Sequence, residues 1–184
     1  MNYVFLAPGF EEIEAVTPID VMRRGGMQVT TVAVTADGSK DVTGAHGVIY
    51  IADTDIASVD LSAAEWMVLP GGMPGASNLH DCEKLTDALR DHAAKGGKLA
   101  AICASPAVVL GSLGLLEGRS ATCYPGFENL CDGAEMTGAD VVVDRNIVTG
   151  NGPASALKWA IAILKEGSGQ EVASIVTDGM LCEK

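Results

Sequence analysis

The sequence predicts an α/β fold in which a mostly parallel sheet is covered by helices on both faces. Short apolar runs alternate with longer segments of helical periodicity, as in "YVFLA" at 3–7 followed by "EEIEAVTPIDVMRR" at 11–24. Strands that consist of continuous apolar runs are typical of parallel sheets buried on both faces. Hydrophobic residues form 48% of the 184 residues and aromatic residues only 4%, so aliphatic side chains must build the core. We expect a single domain over residues 1–184.

The first half of the chain is predicted to hold a strand, a helix and then further strands. The turn signal Pro8-Gly9 ends the first strand, acidic residues lead the helix, and arginines close it before Gly25-Gly26. Pro18 lies inside this helix, where it is expected to kink the helix or to mark its effective start. The predicted strands of this half are 3–7, 27–34, 48–51 and 66–70, with a hairpin around 44–47.

The second half continues the alternation of helix and strand. An apolar stripe predicts a helix over 79–95, which Gly96-Gly97 ends. After a strand at 98–103, Ser105 is expected to cap a helix that has Pro106 at its first position. The remaining predicted elements are strands at 119–123 and within 141–149, which turns at 144–146, and a last helix at 152–166.

Charge and composition exclude several classes of partner. The net charge of −12, with no basic run of five or more residues, argues against binding to nucleic acid or to an anionic membrane. The first residues lack the charged segment of a signal peptide, and no apolar run approaches the roughly 18 residues that span a bilayer. We therefore expect a cytoplasmic protein.

The cysteines fit neither a disulfide framework nor a structural metal site. Their number is odd, no pair has the C-x-x-C spacing, and the three histidines do not complete a zinc-binding pattern with them. We therefore expect no metal. The five cysteines are Cys82, Cys103, Cys123, Cys131 and Cys182, and all except Cys103 are interpreted as core or structural residues.

Cys103 lies where the strand at 98–103 gives way to a helix. A tight strand–turn–helix can hold a nucleophile away from the backbone, and the small neighbours Ala101, Ala104 and Ser105 would permit such a turn. The helix N-terminus would favour the thiolate, and the Ala104 N–H would point at an anion. The residues alone leave the alternative of a buried small hydrophobe about equally open.

Two further turns are expected at the same edge of the sheet, because the carboxyl ends of parallel strands share one edge. Glu14 follows the first strand, and Gly71 and Gly72 follow the strand at 66–70. Glycines allow backbone N–H groups to approach a ligand closely. The simpler interpretations, a solvated acidic helix start and an ordinary tight loop, remain open on the residues alone.

Four motifs together carry a resemblance to the ThiJ/PfpI superfamily, nearest to its protein-deglycase branch. They are "FLAPGFEEIEAVTPIDVMRRGG", "VLPGG" followed by "GA" and "NL", "AAICASPAVVL" and "GNGPASALKWAIAIL", and they run in the same order nearly end to end. The resemblance implies a flavodoxin-like α/β sandwich, usually a homodimer, that needs no cofactor. It also implies that Cys103 is the nucleophile, that Glu14 is the conserved acid, and that the backbone of Gly71, Gly72 and Ala104 binds an oxyanion.

The chain also departs from the superfamily at several positions. Ala104 stands where the peptidase-like branch has histidine, which disfavours a peptidase. Tyr124 stands where the deglycase branch has histidine, and His46 stands where it has arginine, so these two residues and Pro153 are candidates for the substrate pocket. Ser105 replaces a glycine, which the turn should tolerate if its φ stays negative.

The resemblance implies an enzyme that acts on small α-oxoaldehydes such as methylglyoxal, or on their adducts with amines and thiols. The alternative is a redox-responsive chaperone or sensor of oxidative stress that uses the same cysteine. For either activity we expect Cys103 to be mostly thiolate near neutral pH and Glu14 to be mostly protonated. Two like charges about 4 Å apart would repel by roughly 4 kcal/mol at an effective dielectric constant near 20.

Overall fold

A computed structural model describes residues 1–182 and contains a seven-stranded sheet with helices packed around it. This confirms the predicted fold class. The strands are β1 (Asn2–Leu6), β2 (Val29–Ala33), β3 (Asp41–Thr43), β4 (Ile49–Ile51), β5 (Thr54–Asp55), β6 (Trp66–Leu69), β7 (Lys98–Ile102), β8 (Ser120–Ala121), β9 (Glu135–Met136), β10 (Val141–Asp144) and β11 (Ile147–Gly150).

The main sheet has the strand order β10-β11-β7-β6-β1-β2-β5, and only the β10–β11 pair is antiparallel. In register, Leu69 of β6 lies opposite Ala101 of β7, and Ile102 of β7 lies opposite Gly150 of β11. The central strands therefore end together, and the turns that follow β1, β6 and β7 meet at one edge of the sheet. The strands β3 and β4 form the expected hairpin beside that edge, and β8 pairs with β9.

Five α-helices pack around the sheet in the described part of the chain. They are α1 (Glu12–Arg24), α2 (Gly75–His80), α3 (Glu83–Ala94), α4 (Ala156–Ser168) and α5 (Gln170–Gly179). One core cluster contains Ile19 of α1 and Trp159 of α4, and a second contains Leu85 and Leu89 of α3. No helix within residues 1–182 has the length and apolarity needed to cross a membrane.

Several predicted elements have different bounds in the structure. The expected helix at 79–95 is two helices, because Cys82 adopts an extended conformation between α2 and α3, and this break lets Leu79 and Leu85 enter the same core cluster. The helix α1 runs through Pro18 and begins at Glu12, where the side chain of Glu11 caps it. The helix α5 was not predicted, although Ala173 and Val176 bury one of its faces.

The segment after Cys103 is a π-helix, Pro106–Gly111, with Pro106 at its first position as expected. Its wide turn is visible in the hydrogen bond from Ser112 N–H to the Ala107 carbonyl, at 3.1 Å. The expectation that Ser105 caps this helix is wrong. The Ser105 hydroxyl donates instead to the Pro70 carbonyl at 2.6 Å, and so it joins two of the turns at the sheet edge.

Candidate active site around Cys103

Cys103 occupies a sharp turn immediately after β7. Its φ of 63° places it in the left-handed region, which is uncommon for a residue with a side chain and marks local backbone strain. Backbone hydrogen bonds hold it there: its N–H donates to the Gly150 carbonyl at 2.9 Å, and its carbonyl accepts from the Tyr124 N–H at 2.8 Å. The turn aims the side chain away from the sheet and leaves 9% of the residue exposed.

Glu14 reaches the same place from the first turn of α1. The carboxylate of Glu11 accepts the Glu14 N–H at 2.8 Å, which fixes the start of this helix. Glu14 itself is fully buried, and its Oε2 accepts the Gly71 N–H at 2.9 Å. Its carboxylate also accepts a hydrogen bond from the Cys103 thiol. The structure thus brings together the two residues predicted to react.

The loop after β6 approaches this pair so closely that it must be built from glycine. A Cβ on Gly71 would lie 2.6 Å from the Cβ of Cys103 and 2.7 Å from Oε2 of Glu14. Gly72 has a φ of +86°, and a Cβ there would lie 2.5 Å from the backbone nitrogen of Glu11. These contacts explain the glycine pair in "VLPGG" by close approach and by positive φ.

Two backbone N–H groups, those of Gly72 and Ala104, hydrogen-bond to the sulfur of Cys103. These two groups lie where they could also meet an oxyanion, and that role stays a prediction. The N–H of Gly71, the third predicted donor, is already bonded to Glu14. Gly71 therefore positions the acid, while Gly72 and Ala104 surround the sulfur.

Burial shifts both titrating groups of the pair in the same direction. It raises the pKa of Glu14 to about 7, against the opposing effects of hydrogen bonds from Gly71 and Cys103. Burial also raises the pKa of Cys103 to about 12, and the negative charge of Glu14 is the second cause. The N–H groups of Gly72 and Ala104 lower the pKa of Cys103, but they do not outweigh burial.

The protonation state expected from the sequence is therefore half right. The pKa of Glu14 moves in the expected direction, whereas the expectation of an acidified Cys103 is wrong because the site is too dry. Taken as a coupled pair, the two groups hold a single proton between pH about 7 and about 12. Once Glu14 is ionised it can act as the base that removes the proton from the thiol.

A cavity of about 160 Å³ opens beside the sulfur. This volume lies below the roughly 300–1,000 Å³ of pockets that hold drug-sized ligands, so the cavity suits a molecule of a few heavy atoms. Tyr124 is 46% exposed at its mouth and packs edge-to-face on Phe127, with the ring centroids 6.4 Å apart. The lining residues are Gly72, Met73, Cys103, Ala104, Tyr124 and Phe127.

Met73 and Phe127 were missed by the sequence analysis. Met73 is 49% exposed, and its place directly after the glycine pair, in a loop predicted to lie at the sheet edge, was the available signal. Phe127 lies in a polar segment, where no local pattern indicates that its ring turns toward Cys103.

The other two pocket candidates do not line this cavity. His46 is exposed, and its Nδ1 lies 2.8 Å from Oε2 of Glu12, in an ion pair on the outer side of α1. Pro153 opens a short 3₁₀-helix, and its neighbour Gly152 lies beneath the ring of Tyr124. Within this chain, Tyr124 is thus the one predicted pocket residue that contacts the cavity.

One group of side chains in the described residues could hold a metal ion. Ligand atoms of Glu11, Glu12 and His46 lie within 4.8 Å of one another. One oxygen of Glu11 already accepts the Glu14 N–H, and Glu12 accepts both the backbone N–H and the ring of His46. These contacts account for the group without an ion, and the expectation of no metal stays a prediction.

Comparison with known proteins places the chain among relatives of one family. The model of the "DJ-1/PfpI family" matches residues 2–166. "Protein DJ-1 homolog B" of Arabidopsis thaliana is 38% identical over 169 residues, covering 91% of this chain and 38% of that protein. "Glutathione-independent glyoxalase DJR-1.2" of Caenorhabditis elegans is 30% identical over 162 residues, covering 88% of this chain and 84% of that protein.

The solved structure described as "Toxoplasma gondii DJ-1, oxidized" has a TM-score of 0.92 and 38% identity, and it covers 97% of this chain and 96% of that one. The chain spans less than half the length of its two Arabidopsis relatives, 38% of one and 45% of the other. The superfamily resemblance seen in the four sequence motifs is confirmed by these matches.

Proposed function

The chain belongs to the DJ-1/PfpI family, and from that membership we propose that it is a cofactor-independent, cysteine-dependent enzyme. Its substrates are methylglyoxal-type α-oxoaldehydes or their adducts with amines and thiols. The observation that carries the proposal is the hydrogen-bonded pair of Cys103 and Glu14 at the wall of a small cavity. The name of the nematode relative supports a glyoxalase activity.

The first step is addition of the sulfur to the aldehyde carbon. Glu14 takes the thiol proton as the carbon–sulfur bond forms, so no stable thiolate is needed in the free enzyme. The aldehyde oxygen becomes an alkoxide next to the sulfur, where the N–H groups of Gly72 and Ala104 can stabilise it. Protonation of the alkoxide gives a hemithioacetal.

The second step is an internal redox rearrangement. Glu14 removes the proton from the former aldehyde carbon and returns a proton to the neighbouring carbon, which converts the hemithioacetal into a thioester of a 2-hydroxy acid. Water then cleaves the thioester and frees the cysteine. Methylglyoxal plus water thus gives lactate with no net oxidation, which is why neither a redox cofactor nor an external thiol is required.

The pKa of Glu14 suits the proton transfers in both of these steps. A group that must both accept and donate a proton works best when its pKa lies near the operating pH, and burial raises that of Glu14 to about 7. The cavity volume of about 160 Å³ favours three-carbon aldehydes over larger carbonyl compounds. A glycated amine or thiol would extend from the exposed mouth beside Tyr124.

The test is lactate formation from methylglyoxal by the purified protein without glutathione. We expect turnover in the wild type and none above background in Cys103→Ala, with near wild-type turnover in Cys82→Ala. A Cys103→Ala protein that consumes methylglyoxal at the wild-type rate would overturn the assignment of the nucleophile. A wild-type protein without turnover on methylglyoxal or its adducts would overturn the enzymatic proposal.

A second candidate function is that of a redox-responsive chaperone or sensor of oxidative stress. It is favoured by the position of Glu14, whose protonated carboxyl could donate a hydrogen bond to an oxygen on oxidised Cys103. Limiting peroxide should then convert Cys103 to the sulfinic acid before any other cysteine. Mass spectrometry that found Cys182 oxidised while Cys103 stayed reduced would count against this role.

We also propose that the chain acts as a homodimer, as the family resemblance implies. The exposed side chains of Val16 and Leu157 support this, because they line a shallow apolar depression between α1 and α4 that a second copy could cover. A monomer mass by light scattering across micromolar concentrations would contradict it. The cytoplasmic location and the single domain over residues 1–184 remain predictions.

A further inference from the structure

Two other thiols lie together behind the candidate active site. Cys123 is 5% exposed and Cys131 is 4% exposed, and both belong to the same core cluster. Each side chain shifts the pKa of the other through hydrogen bonding, and neither cysteine is in a disulfide. The thiol of Cys123 also donates to the Tyr124 carbonyl at 3.4 Å. Their interpretation from the sequence as separate core residues misses this pairing.

The two cysteines bracket the segment that forms one wall of the cavity. Tyr124 and Phe127 line the cavity, and the N–H of Tyr124 is bonded to the carbonyl of Cys103. The rest of residues 124–130 is mostly exposed and includes only a single 3₁₀ turn. At its far end, Cys131 packs against Gly111 of the π-helix, so both ends of the segment are anchored near the nucleophile.

We propose that Cys123 and Cys131 form a reversible dithiol–disulfide site, oxidised by hydroperoxides, which closes the segment bearing Tyr124 and Phe127 into a covalent loop. The proposal goes beyond the proposed function and does not depend on it. It rests on the contact between the two thiols, their shared burial and their place at the two ends of an exposed segment.

The chemistry proceeds in two steps. The thiolate of Cys131 attacks one oxygen of the hydroperoxide, the O–O bond breaks, and Cys131 becomes a sulfenic acid while the other oxygen leaves as hydroxide or alkoxide and takes up a proton. The sulfur of Cys123, losing its proton, then attacks the sulfenic sulfur and releases water as the S–S bond forms. Two thiols are oxidised by two electrons, and the hydroperoxide is reduced to water or to an alcohol and water.

Either thiol can react first, since both routes give the same disulfide, and the direction of the two pKa shifts favours Cys131. The hydrogen bond from Cys123 lowers the pKa of Cys131, while the same bond, followed by burial, raises the pKa of Cys123. Both cysteines adjoin the exposed segment, and local opening of that segment admits a molecule as small as hydrogen peroxide to the pair. Cys123 is already in contact with Cys131 and acts as the resolving thiol.

A tryptic peptide provides a direct test. No lysine or arginine lies between Arg119 and Arg145, so cleavage after these two residues releases 120–145 with both cysteines in one piece. The full chain carrying Cys103→Ala is treated with hydrogen peroxide, quenched, alkylated and digested. We expect this peptide to lose two hydrogens and to resist alkylation, and dithiothreitol to restore two alkylation sites.

Variants and a structural measurement sharpen the test. Cys123→Ser and Cys131→Ser should each abolish the loss of two hydrogens, whereas Cys182→Ser should not. Chymotryptic cleavage after Phe127 or Leu130 should become roughly tenfold slower on oxidation, since the disulfide restrains local opening. The proposal is overturned if the peptide from Cys103→Ala keeps two alkylatable thiols after peroxide has oxidised Cys182, or if either cysteine pairs with a different partner.

Discussion

Glu12 and Glu14 lie two residues apart at the start of α1, yet their pKa values move in opposite directions. Glu14 is fully buried, and burial raises its pKa to about 7. Partial burial is the largest influence on Glu12 and would also raise its pKa, but hydrogen bonds from the ring and N–H of His46, its own N–H and that of Val48 together lower it.

This difference shows how one helical turn can present two kinds of carboxylate. The side chain of Glu12 points to a rim where a cation and several donors are available, so its charge is well satisfied. Glu14 points into the site and meets one backbone donor and one thiol, so its charge is costly and its proton is easily exchanged. The number of donors and the access of water, rather than distance along the chain, determine which of these two carboxyls has a raised pKa.

The largest expected effect distinguishes the two acids by activity. Glu14→Gln should lower turnover of methylglyoxal by about 10²–10⁴-fold because it removes the proton-transfer group, whereas Glu12→Gln should stay within about twofold of the wild type.

The rate of Cys103 alkylation should rise through pH about 7 in the wild type, as Glu14 becomes a base.

In Glu14→Gln the same alkylation profile should move to higher pH, because no base then removes the thiol proton and burial outweighs the N–H groups of Gly72 and Ala104 in setting the pKa of Cys103. Equal losses of turnover in the two glutamine variants would show that the two acids do not differ in function. If the pH profile of alkylation were the same in Glu14→Gln as in the wild type, the carboxylate of Glu14 would not be the base for Cys103.

The second prediction concerns stability and its dependence on pH. Because the folded protein holds the Glu14 proton up to pH about 7 while the unfolded chain releases it near 4.5, this group's stabilising contribution falls as pH rises between those values. The displacement corresponds to about 3 kcal/mol. Urea unfolding should therefore find Glu14→Gln more stable than the wild type at pH 8 by up to about that amount, with no such gain for Glu12→Gln.

The third prediction tests the close approach of the glycine loop. Gly71→Ala should destabilise the protein by about 1–3 kcal/mol and reduce turnover, because its Cβ would meet Cys103 and Glu14. Gly179→Ala is the matched control, as a Cβ there meets nothing within 4 Å, and helix α5 should tolerate it. Thermal unfolding and turnover, measured on both variants, would refute the steric argument if Gly71→Ala behaved like Gly179→Ala.

A smaller effect is expected from Ser105, which positions the two turns that carry Gly72 and Ala104. Ser105→Ala leaves the buried carbonyl of Pro70 without its 2.6 Å partner, at a cost of about 1–3 kcal/mol. Because this bond links the two turns that we propose bind the oxyanion, kcat should fall more than KM rises. Ser112→Ala, at an exposed site with a weak 3.4 Å bond, should change neither stability nor kcat.

The smallest expected effect concerns the exposed ion pair between His46 and Glu12. The ion pair with Glu12 raises the pKa of His46 above its ordinary 6.5, and NMR titration of the ring should show this shift disappear in Glu12→Gln. The contribution of His46 to stability is present below pH 6.5 and is lost as pH rises through its raised pKa. His46→Gln should therefore weaken the protein slightly at pH 6 and not at pH 9, with turnover unchanged at both.

The order of elements could be predicted from the residues, whereas Cys103 and Glu14 were paired only through the resemblance to a known family, and their reactivity stays a prediction. Continuous apolar runs at 3–7, 66–70 and 98–103 indicate buried parallel strands, whose ends must share an edge, and the motif around Cys103 indicates a strand-to-helix turn. The roles of Cys103 and Glu14 were implied by the resemblance, whereas the strands and this turn depend on local periodicity and turn chemistry, which a single sequence records. Gly71 and Gly72 were singled out for the same reason.

Only the tertiary structure decided the protonation of Cys103 and Glu14. It also decided which backbone N–H groups bond to the carboxylate and which to the sulfur. The pKa of Cys103 depends on how completely water is excluded around it, and that is a property of the packed site rather than of any motif. In the structure, Gly71 bonds to Glu14, Ser105 bonds to Pro70, and His46 pairs with Glu12 outside the cavity. In each case the bonding partner comes from a distant part of the chain. Contacts between residues far apart in sequence form only when the chain packs, and local patterns therefore carry no signal for them.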